Sequence, residues 1–109
     1  MKAVPVLLPN GVPITCPCQQ GNLKLGVTNI AFGKYQDDQG KEQIGWMAAL
    51  SMVMEDDRET KKAFKVYPGK LVSFGEFHVT VQQIESGRGG MRVLVEIASA
   101  DGDRATGAN

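Results

Sequence analysis

Hydrophobic side chains recur at every second position along most of this chain, and glycine or proline interrupts them about every ten residues. That period points to extended backbone, because successive side chains on a strand face opposite ways. No segment holds the 3.6-residue stripe of an amphipathic helix over three turns. A length of 109 residues suits one hydrophobic core and is too short for two.

The alternation can be followed strand by strand. Val12, Ile14, Cys16 and Cys18 share one face, and Pro13 and Pro17 between them lack amide donors. The segment is therefore expected at a sheet edge or as an irregular extended piece. Leu23, Leu25 and Val27 follow on one parity, then Ile30 and Phe32 on the other. One extra residue near Thr28-Asn29 would produce that swap, which predicts a β-bulge or a tight turn. Gln36 to Glu42 form a polar loop.

Ile44, Trp46, Ala48, Leu50, Met52 and Met54 keep one parity, with Met47, Ala49 and Val53 on the other. A central strand covered in part on both sides is expected. A helix competes, since Ala, Leu and Met favour it, but no N-cap precedes Ile44. Glu55 to Glu59 form a charged turn, and Phe64 and Val66 resume the alternation. Pro68-Gly69 fits a type II turn, which takes proline and then glycine at its two central positions. Val72 and Phe74 mark a short strand.

Phe77, Val79 and Val81 alternate cleanly and Ile84 falls off their parity, so a second bulge is expected near Gln82-Gln83. Met91, Val93, Val95 and Ile97 form the last strand. The region 76 to 98 reads as a hairpin whose glycine-rich loop, 86 to 90, exceeds the two-residue ideal. The expected fold is all-β: a small antiparallel β-sandwich or barrel-like roll of seven to eight strands. Residues 1–98 form the single domain, and 99–109, with little to bury, form a disordered tail. The apolar start, Val4, Val6, Leu7 and Leu8, needs a burial site that a partner subunit could supply.

Charge limits the partners. Twelve basic residues balance twelve acidic ones, which gives no long-range attraction to nucleic acid or anionic membrane. The longest apolar run, Ile44 to Met54, is far short of the about 20 residues a membrane-spanning helix needs. The start, MKAVPVLLPNG, breaks its short apolar stretch with Pro5 and lacks a small-residue cleavage site. A cytoplasmic location is expected.

Two features could carry chemistry. Cys16 and Cys18 flank Pro17, and two thiolates could hold a soft metal such as Cu(I) or supply half a zinc site. Same-face residues two apart on a strand lie about 6.6 Å from one another, too far for an ordinary disulfide. The competing reading makes both cysteines small apolar residues continuing the Val12-Ile14 face. The second feature is a polar sheet face, Glu76, His78, Thr80 and Gln82, with Arg92 and Glu96 on the partner strand. A histidine near a carboxylate and an arginine could do acid–base work, but an antiparallel sheet also turns a polar face to water. No nucleophile elbow, phosphate loop or dedicated calcium loop is present, and no cofactor is expected. The sequence therefore favours a non-catalytic protein-interaction or structural module, its partner a protein or a second copy. A thiol or soft-metal protein is the alternative.

Overall fold

The computed structural model describes residues 3–18 and 21–99, and of Cys18 the backbone alone. Its strands are β1 (Ala3–Pro9), β2 (Ile14–Cys18), β3 (Gly21–Gln36), β4 (Glu42–Met54), β5 (Asp57–Val66), β6 (Leu71–Phe74), β7 (Phe77–Gly87) and β8 (Gly90–Ser99). They form two four-stranded antiparallel sheets. Sheet A has the order β1-β8-β7-β6, and sheet B has the order β2-β3-β4-β5. The fold is an all-β sandwich, and residues 43 to 54 are strand.

The core lies between the sheets. Sheet B buries Leu23, Leu25, Val27, Leu50, Met52 and Val66; sheet A buries Leu8, Val79, Val81, Val93 and Val95. Each such side chain, fully removed from water, contributes roughly 1.5–3 kcal/mol of transfer free energy. No polar or charged side chain among the described residues is buried. β4 lies between β3 and β5 and faces the core on one side only. Its other side, Met47, Ala49, Ser51 and Val53, is half-buried by neighbours within the sheet.

Both expected bulges are present. The β3–β4 register shifts between Thr28 and Ala31, where Asn29 adopts a φ of 54°. Asparagine tolerates that left-handed region better than most residues. The β7–β8 register shifts between Val81 and Gln83, which returns Ile84 to the core. The proline-bearing β2 is an edge strand, where one row of amides goes unused.

The N-terminal stretch pairs with β8 as the outer strand of sheet A; the chain itself buries Leu8 and partly buries Val6, and leaves Val4 and Leu7 exposed. Two sequence expectations are corrected. The glycine-rich connection is a two-residue turn, Arg88-Gly89, because Ser86 and Gly87 pair with Met91 and Gly90. Positive φ at Gly89 and Gly90 permits it. β8 runs through Ser99, which pairs with Phe77; the rest of the expected tail lies outside the described residues.

Two crossings join the sheets. After β1 the Gly11 amide donates to the Val27 carbonyl at 2.8 Å, which carries the chain across to sheet B. After β5 the Pro68-Gly69 turn closes as expected, with Lys70 N–H donating to the Tyr67 carbonyl at 2.9 Å and Gly69 at a φ of 95°. The turn then joins sheet A, where Lys70 carbonyl and Gly69 amide both pair with Val81.

Candidate functional site

The β3–β4 hairpin outruns its neighbours. β2 pairs with β3 only as far as Leu25, and β5 leaves β4 at Ala48. Residues 31–36 and 42–47 therefore form a two-stranded arm, about 20 Å long at the usual rise per residue. The parity of the core strand continues along it. Phe32 pairs with Trp46, and Lys34 pairs with Ile44. These residues extend the apolar inner face past the part that sheet A covers. Trp46 is half-buried against the core, but Phe32 is 62% exposed and Ile44 67% exposed. The Phe32 and Trp46 rings meet edge to face at 5.3 Å.

The opposite face of the arm is braced. The Tyr35 ring stacks on Tyr67 with centroids 4.7 Å apart. At the tip, Asp37 Oδ1 accepts from the amides of Gln39 and Lys41, each at 2.9 Å, and Oδ2 accepts from the Gln43 amide group. The Lys41 amide, foremost, holds the Asp37 carboxyl below its ordinary value. Asp38 forms an ion pair with Lys70 and accepts from the Tyr67 hydroxyl. Those contacts lower the Asp38 carboxyl, chiefly through Lys70, and raise Lys70, chiefly through Asp38. Loss of water around the ring, and then Asp38, raise the Tyr67 hydroxyl. The arm is thus tied to the β5–β6 turn toward its tip, through Tyr35 and Asp38, with its apolar face turned the other way.

The polar residues singled out by sequence divide into separate groups. His78, Thr80, Glu96 and Arg92 do share the outer face of sheet A. His78 faces Ala98 and Ser73 across the strands, and its Nδ1 lies 3.2 Å from Ser73 Oγ. Thr80 faces Glu96, whose carboxylate accepts from the Gln82 side chain at 2.5 Å. Arg92 faces Glu85, with Nε 3.5 Å from its carboxylate. Arg92 lies six residues along β8 from Ala98, or about 20 Å from the His78 row. The arginine and the histidine therefore cannot act on one small substrate. Glu76 is not on this face; it sits in the β6–β7 turn and lines a groove with Lys62, Phe74 and Phe77 at one end of the sandwich.

Cys16 lies half-buried opposite Leu23 and packs with Ile14 against the core. The side chain of Cys18 lies outside the described residues. Among the described residues no three of His, Cys, Asp and Glu come together as a metal site. The acidic pair Asp37-Asp38 is spent on the arm tip. Among the described residues no helix is long and apolar enough to cross a membrane.

A second groove, of about 400 Å³, opens on the outer face of sheet B. Its rim carries Lys24, Arg58, Lys61 and Glu55.

Comparison with known proteins finds no family model, curated protein or solved structure that matches this chain.

The arm was not foreseen from sequence. Its signal was the alternation through Ile44 and Trp46, but a sequence does not say where the opposing sheet stops.

Proposed function

We propose that this chain is a non-catalytic interaction module that self-associates through the β3–β4 arm. The observation carrying the reading is the braced arm with Phe32 and Ile44 held out of the core. Exposed apolar side chains on a rigid element with open backbone edges favour pairing with another strand. A second copy fits this surface. The chain has no net charge to repel its like. Lys34 and Glu42 lie together near the tip, 3.9 Å apart, so each copy offers the opposite charge to its twin. Among the described residues no strand lies beside residues 42–47 on the β5 side of β4, because β5 pairs no further than Ala48. An antiparallel two-fold pairing centred on Gly45 sets Ile44 of one copy opposite Trp46 of the other. Both lie on the same face, so the apolar surface becomes continuous.

Sedimentation velocity of the full chain tests this reading. The expected result is a dimer whose population rises with concentration, and a monomer for Phe32→Ser/Ile44→Ser at the same concentration. Both side chains are exposed, so the variant keeps the core. A native chain that stays monomeric at millimolar concentration refutes the proposal.

A further inference from the structure

The groove on the outer face of sheet B has no part in the arm or in the polar face of sheet A. It forms where side chains are small: Gly26 pairs with Ser51, and Ser51 pairs with Ala63 across the next strand. Pro13 closes one wall, near enough that a Cβ on Gly26 would lie 3.4 Å from its Cα. The next row toward the charged turn is Lys24 beside Val53, with Lys61 and Arg58 contributed by β5.

Two independent properties meet here. The first is shape, since about 400 Å³ falls within the range of small-molecule sites. The second is charge. Lys24, Arg58 and Lys61 have no carboxylate partner among the described residues, as is also true of Lys41, Lys62, Lys65 and Arg88, but these three line one groove. Among the residues that line the groove, three cations outnumber the one carboxylate, Glu55, while the exposed Asp57 and Glu59 flank Arg58 outside it. Long cationic side chains commonly lay their methylene stems along apolar surface and keep the charged head in water, and Val53 lies among these three in the lining. The walls are thus largely apolar and the mouth cationic.

We propose that this groove binds a small organic anion with an apolar body. The body lies along Val53, Pro13 and the lysine stems. The anionic group sits at the rim, where Arg58 can engage a carboxylate or sulfonate through two parallel N–H donors. The Ser51 and Thr28 hydroxyls, which form no hydrogen bond within the described protein, face the same space. Inorganic phosphate alone gains nothing from the apolar walls, and a neutral apolar molecule gains nothing from the rim.

The test uses two fluorescent probes on the full chain: anilinonaphthalene sulfonate, and phenylnaphthylamine, which has the same rings without the sulfonate. Both are also titrated into Phe32→Ser/Ile44→Ser, which removes the competing apolar surface of the arm and separates this site from the self-association reading. The sulfonate is expected to bind both proteins with a Kd of about 10–100 µM at low salt, and the neutral probe at least about tenfold more weakly. Lys24→Ala/Arg58→Ala/Lys61→Ala is expected to weaken the sulfonate at least about tenfold. Ser51→Phe, which fills the floor and keeps every charge, is expected to weaken it likewise. Equal binding of the two probes, unchanged binding in either groove variant, or no sulfonate binding below millimolar overturns the proposal.

Discussion

Leu50 is a position where the sandwich should be sensitive to lost volume. It is fully buried on the central strand of sheet B, with Val27 opposite on β3 and Phe64 opposite on β5. Leu50→Ala deletes three carbons from a site whose neighbours are fixed by strand ladders on both sides. Such a site collapses poorly, so the cavity cost adds to the transfer cost. The expected loss is about 3–4 kcal/mol, in the middle of the range for buried leucines. At about 4–8 °C per kcal/mol for a domain this size, Tm falls by about 12–30 °C. Leu7 provides the internal control. It is 41% exposed on the outer face of edge strand β1, and Leu7→Ala is expected to cost less than about 1 kcal/mol. Urea titration followed by Trp46 fluorescence measures both, with an unchanged m-value showing that the comparison is one of stability. Equal costs at the two positions, or a Leu50→Ala cost below about 1 kcal/mol, would refute the placement of the core.

Other perturbations probe single features. Asn29→Val forces a β-branched residue into the left-handed region at the β3 bulge and is expected to cost about 1–2 kcal/mol by thermal unfolding, while Asn29→Gly should be neutral or stabilising. Gly87→Ala would place a Cβ 2.7 Å from Arg92 Cζ, so the guanidinium must shift beside Glu85; a loss below about 1 kcal/mol is expected, with altered amide shifts confined to the β7–β8 turn in an NMR spectrum. The arm tip should loosen in acid. Asp37 and Asp38 have folded pKa values below the ordinary 3.8, so their contribution is complete above that value and is lost as pH falls further through the folded values. Protection factors for amide exchange at residues 37–41, taken against the intrinsic rate at each pH, should fall below about pH 4 before those of the core do. On the alkaline side Lys70 and Tyr67 are raised, so their contribution holds up to the ordinary values and is lost only as pH rises through the folded ones.

Period-two alternation made the strands legible because a buried inner face leaves a local mark on each of them. The parity swaps at Thr28-Asn29 and at Gln82-Gln83 were visible for the same reason: each extra residue turns the following side chains over. What stayed hidden depends on register and on the extent of a neighbour. Parity put His78 and Arg92 on one face, but only the pairing of Arg92 with Glu85 separates them along the sheet. Glu76 has the parity of that face and still leaves it, since Gly75, at a φ of 58°, starts a turn there. Ile44 and Trp46 look like core residues because they continue the row of Ala48 and Leu50. Their exposure follows from how far sheet A reaches. The loop at 86 to 90 looked long because glycines suggest turn, yet Gly87 and Gly90 pair as strand residues, and Gly87 accommodates the Arg92 side chain. The basic groove was equally hidden, because Lys24, Arg58 and Lys61 come together only once three strands are aligned.

The arm as the self-association surface is tested most directly by amide hydrogen exchange of the full chain over a range of protein concentrations. Amides of β4 between residues 42 and 47 that point away from β3 are expected to gain protection as concentration rises, while those of edge strands β1 and β2 stay unchanged. Phe32→Ser/Ile44→Ser should abolish the gain. Protection independent of concentration along the arm, or a gain confined to β1 or β2, would contradict the account.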